Sequence, residues 1–478
     1  MKLSGRLRMH TPMKLLFSII TALLLCVAGA FADSPFPAPK YLGEVSSYGR
    51  NIQRTMRLLA TSTPEHRNTV RILFYGQSIT EQNWSKLVAD DLRTRFPNAN
   101  LVIENRALAG FASQMLVRTA ETDLYPFQPD LLIFHVYGAH DKYEDIIRRV
   151  RERTTAEILQ QNDHVTKLEH FTEATDPAKA TIQSGKWDAF MNHNWLPSLS
   201  KKYGTELCDQ RALWKLYLTD QKLEPKALLK DNVHLNPHGE YVMAQFVDTY
   251  LRYDPKLGAS PAESWVKTLE VGKDVDWKDG QLRLEFEGNR VDAIVKSSLE
   301  SPLQVRIDGC KPSEIPELYG FTRALAKPGG KWPVIAPIKS EKLLALEDWT
   351  LEVKRDATSE KLFSFALSGS KTGPDGEGKS DQRFVSKSGR IAIEPEDWNV
   401  AYAMSLAGVK IVPDTFTVRW SVVPYFVDEI TVEKARNAGV EESITLAQGL
   451  KNGKHTLEIL GSDHESILGL RVCAPPSP

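Results

Sequence analysis

Residues 72–80, with the sequence ILFYGQSIT, decide how the first half of this chain is understood. An apolar run stops at Gly76, and Gln77 and Ser78 follow at once. A short apolar run of this kind predicts a buried strand of a parallel sheet, followed by a turn and a helix. Ser78 would stand at the corner. It is either a displayed nucleophile or, like Thr80, a hydroxyl that caps the next helix.

Around this stretch, strand patterns and helix patterns alternate from about residue 46 to 252. Further buried strands are predicted at ANLVIEN (99–105), DLLIFHV (130–136), AEILQQ (156–161) and TELCD (205–209). Amphipathic helix patterns include WSKLVADDLRTRF (84–96), YEDIIRRVRERT (143–154) and HGEYVMAQFVDTYL (238–251). This alternation predicts a parallel sheet with helices on both faces.

The pattern changes near residue 255. A linker-like stretch, DPKLGASPAES (254–264), is followed by period-two segments separated by turns such as KNGK (451–454). We predict a lead-in with one helix over 33–64, an α/β domain over 65–254 and an antiparallel β-sandwich over 262–476. The sandwich is one domain with a large insertion around 310–400, or two domains.

The N-terminus has the features of an export signal. Lys14 precedes the apolar run 15–30, and small residues lead to a predicted cleavage site after Ala32. We therefore expect a signal peptide over 1–32, with Met13 as an alternative start, and a periplasmic or extracellular protein with no membrane span after cleavage. The alternatives are a lipoprotein modified at Cys26 and an uncleaved anchor.

Charge and cysteine usage exclude several classes of protein. The formal net charge is −1, which gives no electrostatic reason to expect a nucleic acid partner. After cleavage Cys208, Cys310 and Cys473 remain, which is no disulfide framework. Cys310 and Cys473 either pair or remain free thiols. No Cys-x-x-Cys motif is present, and no structural zinc site is expected.

A serine needs a base to become a nucleophile. The best candidate lies in LLKDNVHLNPHG (228–239), just before the last predicted α/β helix. Asp231 and His234 are three residues apart, so on a tight turn the carboxylate would hold one imidazole nitrogen and leave the other free for Ser78. A metal site of Asp231, His234 and His238 is disfavoured, because Pro237 and Gly239 interrupt a helix that would present both histidines together.

The ordered set of motifs resembles the SGNH hydrolases, also called GDSL-like esterases. The matching segments are GQS (76–78), NRALAG (105–110), PDLLIF (129–134) and DNVHLNPHG (231–239). The resemblance implies a flavodoxin-like three-layer α/β/α fold. It implies Ser78 as nucleophile, His234 as general base and acid, and Asp231 as the residue that orients His234. The backbone N–H groups of Ser78 and Gly110 would form part of the oxyanion hole.

The sequence departs from this family at two places. Gln77 replaces the Asp of Gly-Asp-Ser, which we expect to change packing or supporting hydrogen bonds rather than the reaction. The family's Gly-x-Asn-Asp block reads HVYGAHD (135–141) here. Matching Gly138 places His140 at the position of the third oxyanion donor, whereas matching without a gap places Ala139 there, whose side chain donates nothing.

Other polar and aromatic residues near the predicted site receive structural interpretations. His135 lies inside a strand pattern and is interpreted as a satisfied core histidine. Asp163 and His164 follow a strand end, where a loop or cap role is favoured over a place in the cleft. Asn105 is expected to hold its turn, and Trp84 to pack its helix. The C-terminal tryptophans are interpreted as core residues rather than a sugar platform.

The motifs and the export signal predict a secreted serine esterase that needs no metal or organic cofactor. The resemblance to secreted SGNH esterases with an appended β-sandwich implies that it removes small acyl groups, acetyl first, from a carbohydrate. The alternative from another class is a non-catalytic carbohydrate-binding protein that retains the fold. Phosphate or nucleotide hydrolysis is disfavoured, because neither a Gly-rich phosphate loop nor a metal-ligand cluster is seen in the sequence. The glycan, the acyl position and the oligomeric state stay open.

Overall fold

The computed structural model describes residues 34–476 except 42, 44, 185, 297, 298, 300, 358 and 432–438. The predicted signal peptide, with Cys26 and the alternative start, lies outside the described residues. Among the helices that the structure describes, none is both long enough and apolar enough to cross a membrane.

A five-stranded parallel sheet forms the centre of the first region. The strands are β1 (Thr69–Gly76), β2 (Asn100–Asn105), β3 (Leu131–His135), β4 (Glu157–Gln161) and β5 (Glu206–Cys208). Their order is β2-β1-β3-β4-β5, with every neighbouring pair parallel. This is the flavodoxin-like order, so the predicted fold class is confirmed for the α/β region.

Helices cover both faces of this sheet. They are α1 (Gln53–Ala60), α2 (Ser78–Glu81), α3 (Trp84–Arg95), α4 (Ser113–Asp123), α5 (His140–Arg153), α6 (Trp187–Ala189), α7 (Leu196–Tyr203), α8 (Gln210–Gln221) and α9 (Pro237–Tyr250). Alternate residues of β1 enter different cores. Ile72 and Phe74 pack with Trp84 in one cluster, while Leu73 and Tyr75 join a second cluster. The period of two along a strand therefore produces the three layers.

Capping residues set the start of α9 and the end of α7. Asn236 caps α9 by accepting from the N–H groups of His238 and Gly239, both at 3.0 Å, and Pro237 occupies the first helical position. Gly204 ends α7 with φ +58, as its position in the sequence predicts. A Cβ at Gly239 would lie 2.2 Å from the carbonyl oxygen of Leu228. The Asn236 cap and the close approach of Gly239 to Leu228 fix the backbone on both sides of the loop that carries His234.

The C-terminal region contains separate antiparallel sheets. Its strands are β6 (Val266–Glu270), β7 (Trp277–Lys278), β8 (Gln281–Val295), β9 (Leu303–Ile307), β10 (Tyr319–Phe321), β11 (Leu325–Lys327), β12 (Asp348–Asp356), β13 (Ser359–Gly369), β14 (Gly373–Lys379), β15 (Phe384–Val385), β16 (Ala392–Ile393), β17 (Thr415–Pro424), β18 (Glu429–Ile430), β19 (Glu442–Leu460) and β20 (Ile467–Cys473). The helix α10 (Val400–Leu406) lies between β16 and β17.

One sheet has the order β18-β9-β19-β8-β20-β6, with β7 paired to β8. Another has the order β10-β17-β12-β13-β14, with β11 paired to β17, and β15 pairs with β16. The second sheet is built from residues that lie, in sequence, between β9 and β18. Each sheet has its own apolar cluster. These sheets are consistent with an appended β-sandwich region, while the predicted domain limits stay predictions.

The tryptophans and cysteines of this region are mostly internal. Trp349 and Trp420 are buried in the core of the second sheet. Cys310 is exposed and Cys473 is buried, and both are free thiols. Of the two alternatives for Cys310 and Cys473, the structure therefore has free thiols and not a disulfide. Trp332 differs from the other tryptophans, because it packs against the α/β core as well as against the core of the second sheet.

Candidate active site

The strand β1 ends at Gly76, and Ser78 is the first residue of α2. The N-cap position belongs to Gln77, and no side chain caps this helix. The Oγ of Ser78 instead lies 2.9 Å from Nε2 of His234. Thr80 does not cap either, because its hydroxyl donates to the carbonyl of His135 at 3.2 Å. The structure therefore does not use Ser78 as a capping residue.

The corner before Ser78 has no room for a side chain at Gly76. A Cβ there would lie 2.2 Å from the carbonyl oxygen of His135 and 2.3 Å from Oγ1 of Thr80. Contacts this short do not occur between real Cβ atoms and fixed backbone, so glycine is required. The close approach of β1 and β3 at this point positions Ser78 at the carboxyl edge of the sheet.

His234 lies between Ser78 and Asp231. Its Nδ1 is 2.9 Å from Oδ2 of Asp231, and Asp231 Oδ1 accepts from the backbone N–H of His234 at 2.7 Å and of Val233 at 2.8 Å. A carboxylate can only accept, so Nδ1 carries the proton that it donates to Asp231. In this assignment Nε2 is unprotonated and accepts from the Ser78 hydroxyl.

The carboxylate of Asp231 is held ionised by its own turn. Hydrogen bonds from the backbone N–H groups of His234 and Val233, followed by the bond from the His234 ring, lower the pKa of Asp231 to about 2. Hydrogen bonds to the charged form favour ionisation in this way. Asp231 is half-exposed, with 50% of its side chain accessible, and His234 is 33% accessible. The Asp231 carboxylate is therefore ionised at neutral pH, and both side chains are accessible to solvent.

Gln82 fixes the distance between the Ser78 helix and the His234 loop. Its Nε2 donates to the carbonyl of Leu235 at 2.8 Å, and its Oε1 accepts from the N–H of the same residue at 3.0 Å. This two-bond pairing holds the residue after His234 against the end of α2. The sequence analysis did not identify Gln82, because nothing in a single sequence links it to a position so far along the chain.

The Gly110 loop supplies a backbone N–H group near this corner. Gly110 has φ +79, in the region that favours glycine. Asn105 holds the turn that leads to it, because its Oδ1 accepts from the N–H of Ala107 and its Nδ2 donates to the carbonyl of Thr80. Among the hydrogen bonds of the described residues, none uses the backbone N–H of Ser78 or of Gly110.

Gln77 connects the Ser78 corner with the loop after β3. Its Oε1 accepts from the N–H of Tyr137 at 2.8 Å. This supporting hydrogen bond is the kind of role that the sequence analysis predicted for Gln77.

His140 begins α5, and its ring packs edge-on against Trp195 and Phe190, with centroids 4.8 and 5.4 Å away. Ala139 uses its carbonyl to accept from Ser113. None of the contacts found for the His140 ring within the described residues is to Ser78, so the third-donor role stays a prediction.

A second polar cluster lies behind the His234 loop. Oδ1 of Asp163 is 2.9 Å from Nδ1 of His164 and 3.4 Å from Nε2 of His135, and Nε2 of His164 is 2.8 Å from the carbonyl oxygen of Val233. Burial alone would raise the pKa of Asp163, but the charges and hydrogen bonds of His164 and His135 lower that pKa well below its usual value. The two ends of the His164 ring thus link Asp163, just after the end of β4, to the loop that carries His234.

This cluster contains the groups that best match a metal-ligand set among the described residues. His135, Asp163 and His164 each offer a ligand atom, and these atoms lie within 4.8 Å of one another. The same atoms already face each other as donors and acceptors. His135 is buried as predicted, but its Nδ1 has no hydrogen-bond partner among the described residues, so the interpretation as a fully satisfied core histidine is incomplete.

His238 is separated from Asp231 and His234 by its own contacts. Its ring stacks on Phe36 with centroids 4.2 Å apart, and its Nε2 is 2.7 Å from the hydroxyl of Tyr217. Trp84 packs in the α/β core, where its Nε1 donates to the carbonyl of Ile79. These two residues therefore support the surroundings of the site.

The C-terminal region contacts the Gly110 loop directly. The Trp332 Nε1 donates to the carbonyl of Ala109 at 2.8 Å, and the Tyr402 hydroxyl donates to the carbonyl of Gly110 at 2.7 Å. Lys331 forms an ion pair with Glu81 at 2.7 Å, at the end of the helix that Ser78 begins. The sequence analysis missed these contacts, because no motif marks a single tryptophan or tyrosine as a neighbour of a distant loop.

Comparison with known proteins yields structural similarity only. No protein-family model matches the sequence, and no curated protein matches it. The chain is similar to a two-domain esterase active on acetylated mannans, with 13% identity, 91% of this chain and 100% of that chain covered, and a TM-score of 0.35.

Smaller solved proteins match about two fifths of the chain. A candidate GDSL-like lipase from Parabacteroides merdae has 20% identity, covers 39% of this chain and 98% of its own, and gives a TM-score of 0.31. An acetylxylan esterase from Geobacillus stearothermophilus has 16% identity, covers 40% of this chain and 97% of its own, and gives a TM-score of 0.31.

Proposed function

We propose that this protein hydrolyses carboxylic esters with Ser78 as the nucleophile. The observation that carries the proposal is the continuous chain of contacts from Ser78 Oγ through His234 to Asp231, with 2.9 Å at each step. A serine, a base within hydrogen-bond reach and a third group that orients the base are the parts that nucleophilic acyl transfer needs.

The proposed reaction follows from the protonation states of Ser78, His234 and Asp231. As Ser78 Oγ bonds to the acyl carbon, its proton passes to Nε2 of His234, and the negative charge moves to the carbonyl oxygen. His234 then protonates the departing alcohol oxygen, which leaves an acyl-serine. A water molecule then bonds to the acyl carbon as His234 takes its proton. The bond from that carbon to Ser78 Oγ breaks, Oγ takes the proton back from His234, and the acid leaves.

The developing oxyanion needs hydrogen-bond donors. The backbone N–H groups of Ser78 and Gly110 fill this role in the proposal, since one follows the strand corner and the other lies on the adjacent loop. One such donor contributes about 3 kcal/mol to transition-state stabilisation in comparable sites. His140 is not needed as a donor in this scheme.

The proposed substrate is a carbohydrate that carries small acyl groups, acetyl first. Support comes from the motif resemblance to SGNH esterases and from the partial exposure of His234 and Asp231, which leaves the reacting atoms open to a large substrate. We propose further that the chain is exported, as residues 1–32 predict. Acetylated mannan and acetylated xylan, the substrates named for the structural neighbours, are the first glycans to test.

The test compares p-nitrophenyl acetate hydrolysis and acetate release from acetylated mannan by the mature protein and by Ser78→Ala. Ser264→Ala is the matched control, because Ser264 is an exposed serine outside the α/β sheet. We expect Ser78→Ala to lose about 10⁴-fold or more in kcat, and the control to keep the full rate.

Equal background rates for the mature protein and Ser78→Ala on both substrates would refute the proposal. Glycan binding by the same proteins, measured by calorimetry, would then favour the non-catalytic carbohydrate-binding alternative. Turnover of the small ester alone would keep the serine esterase and refute the tested glycan as its substrate.

A further inference from the structure

We propose that Trp332, which comes from the C-terminal region, is a positioning residue for the peptide group that donates to the oxyanion. The inference rests on the proposed function, because it assigns a role to the Gly110 N–H during ester hydrolysis. It adds that the second sheet region completes the active site and is more than an attached module.

The key feature is that one peptide group carries both contacts. The carbonyl of Ala109 and the N–H of Gly110 belong to the same planar unit, and in a trans peptide they point in opposite directions. The Trp332 Nε1 donates to that carbonyl at 2.8 Å. This hydrogen bond therefore fixes the plane of the peptide and the direction of its N–H. It also polarises the peptide, because hydrogen bonds in a chain strengthen one another.

The loop needs such a restraint at this residue. Gly110 has φ +79, and glycine has more backbone freedom than any other residue. Leu406 covers it so closely that a Cβ at Gly110 would lie 2.8 Å from a Leu406 methyl carbon. A side chain cannot therefore be used to hold this position, and the restraint has to come from bonds to the backbone.

The Ala109 N–H and the Gly110 carbonyl, on either side of this peptide group, also form hydrogen bonds. The N–H of Ala109 donates to Glu81 on α2, and Glu81 pairs with Lys331, the residue before Trp332. The carbonyl of Gly110 accepts from Tyr402 at 2.7 Å. Through Ala109 and Lys331, Glu81 therefore joins the helix of Ser78 to the Gly110 loop and to the C-terminal region, which places the two proposed oxyanion donors relative to each other.

Trp332 is well anchored for this task. Its ring packs against the apolar cluster of the α/β region and against that of the second sheet, and the Lys331 ammonium lies 5.4 Å from the ring centroid. Arg323 adds a second connection between the same regions, because it pairs with Asp123 at 2.7 Å and donates to the carbonyl of Arg106. Each contact restricts movement between the regions and hence of the indole N–H.

Tyr402 provides a matched control on the same loop. It also donates to a carbonyl of this loop, but the N–H of that next peptide belongs to Phe111 and already donates to Leu108 at 3.0 Å. Loss of the Tyr402 hydroxyl removes a bond of the same kind from a peptide that has no oxyanion role. Tyr402→Phe and Trp332→Phe therefore separate a specific effect on the donor from general loosening of the loop.

The experiment measures kcat and KM for p-nitrophenyl acetate, and the inhibition constant of a trifluoromethyl ketone that forms an oxyanion adduct with serine. We expect Trp332→Phe to lower kcat about 10- to 100-fold and to weaken the inhibitor similarly, with KM within about twofold, because a misdirected donor costs part of a full one. We expect Tyr402→Phe to stay within about threefold of the parent protein. Trp332→His, which keeps a ring N–H, should restore part of kcat.

Ser78-dependent turnover that is unchanged in Trp332→Phe would overturn this inference and leave the proposed function intact. Equal losses in Trp332→Phe and Tyr402→Phe would also overturn it, since they would indicate general loosening. A parent protein without Ser78-dependent turnover would refute the proposed function and this inference together. If Trp332→Phe does not fold, replacement of the Trp332 indole by benzothiophene, which keeps the ring shape without the N–H, gives the same comparison.

Discussion

Two His–Asp pairs near Ser78 have the same distance between the histidine Nδ1 and the carboxylate, but they have different surroundings. In the Asp231–His234 pair and in the Asp163–His164 pair, Nδ1 lies 2.9 Å from the carboxylate. The first pair is partly exposed, and its Nε2 faces a serine hydroxyl. In the second pair the histidine is buried, and its Nε2 faces the backbone carbonyl of Val233.

The group that faces Nε2 indicates which of the two histidines can act as a base. A hydroxyl can donate to Nε2, so His234 keeps an unprotonated nitrogen that can take a proton. The two ring nitrogens of His164 face a carboxylate and a carbonyl, which both accept, and neither nitrogen faces a hydroxyl. We therefore expect the Asp163–His164 pair to hold the loop that carries His234, and the Asp231–His234 pair to react in the proposed function. The following variants test that division, in order of decreasing effect.

The largest effect is expected from His234→Ala. The exposed pair would lose its base, and kcat for p-nitrophenyl acetate should fall about 10⁴- to 10⁶-fold, while the thermal midpoint stays close to that of the parent. Stopped assays with purified protein and differential scanning calorimetry measure the two quantities. A rate within tenfold of the parent would show that another group deprotonates Ser78.

Asp231→Asn should have the next largest effect. The amide keeps the size of the side chain but can donate to Nδ1, which favours the wrong tautomer of His234. We expect kcat to fall about 10³- to 10⁴-fold. Since the pKa of Asp231 is lowered to about 2, the parent carboxylate stays ionised throughout the usual assay range, and kcat should show no acid limb from Asp231 above about pH 3. An acid limb that disappears in Asp231→Asn would contradict this assignment.

Asp163→Asn tests the buried pair. The amide keeps an oxygen that can accept from His164 but loses the negative charge that faces His164 and His135, and loss of one partner of a largely buried pair costs up to about 3 kcal/mol of unfolding free energy at pH 7. The depressed pKa of Asp163 means that this stabilisation is present above the ordinary aspartate pKa and is lost as the pH falls towards the native value. Urea unfolding at several pH values should therefore show the gap between parent and variant narrowing in acid.

The matched control is Asp231→Asn, which changes the same atoms in the exposed pair and should leave the urea midpoint unchanged. A larger loss of stability in Asp231→Asn than in Asp163→Asn would contradict the division between a reacting pair and a supporting pair.

His170 gives a smaller, pH-dependent effect in the buried region. Burial and then the charge of Arg211 lower the pKa of His170 to about 4. The unfolded chain binds this proton at higher pH, so the contribution of His170 is complete above about pH 6.5 and is lost as the pH falls to about 4. His170→Gln should flatten that part of the stability profile, measured by urea unfolding. An unchanged slope would show that another group titrates there.

The smallest effect is expected from His140→Ala. Its ring packs against Trp195 and Phe190, and the proposed hole uses backbone donors. We expect kcat to stay within about threefold of the parent protein. A loss of about 10²-fold or more with KM unchanged would instead identify His140 as the third oxyanion donor that one alignment of the motif predicts.

Local patterns in the sequence predicted a large part of this fold. The apolar runs at β1, β3 and β4 indicated buried parallel strands before any contact was known. These features depend on short-range geometry, which neighbouring residues determine. The prediction that the Asn-Gly pair at 452–453 forms a turn between two strands was wrong, because residues 451–454 lie inside the strand β19, next to an irregularity in its pairing with β8 between Gln448 and Gly453.

Other features were beyond single-sequence reasoning. The pairing of Gln82 with Leu235 and the bond from Trp332 to Ala109 join residues 153 and 223 positions apart. The free state of Cys310 and Cys473, and the unpartnered nitrogen of His135, also depend on how distant segments pack. No local periodicity encodes such contacts, because many sequences satisfy the same strand and helix patterns with different long-range neighbours.

The sequence by itself determined the α/β architecture, the strand–turn–helix corner at Ser78 and the Asp231–His234 spacing, because each is a matter of backbone geometry over a few residues. Only the tertiary structure decided that His234 meets Ser78, that the Asp163–His164 pair faces a carbonyl, and that the C-terminal region holds the Gly110 loop. Those outcomes depend on which atoms the folded chain brings within hydrogen-bond distance, and that distance is set by the packing of the whole molecule.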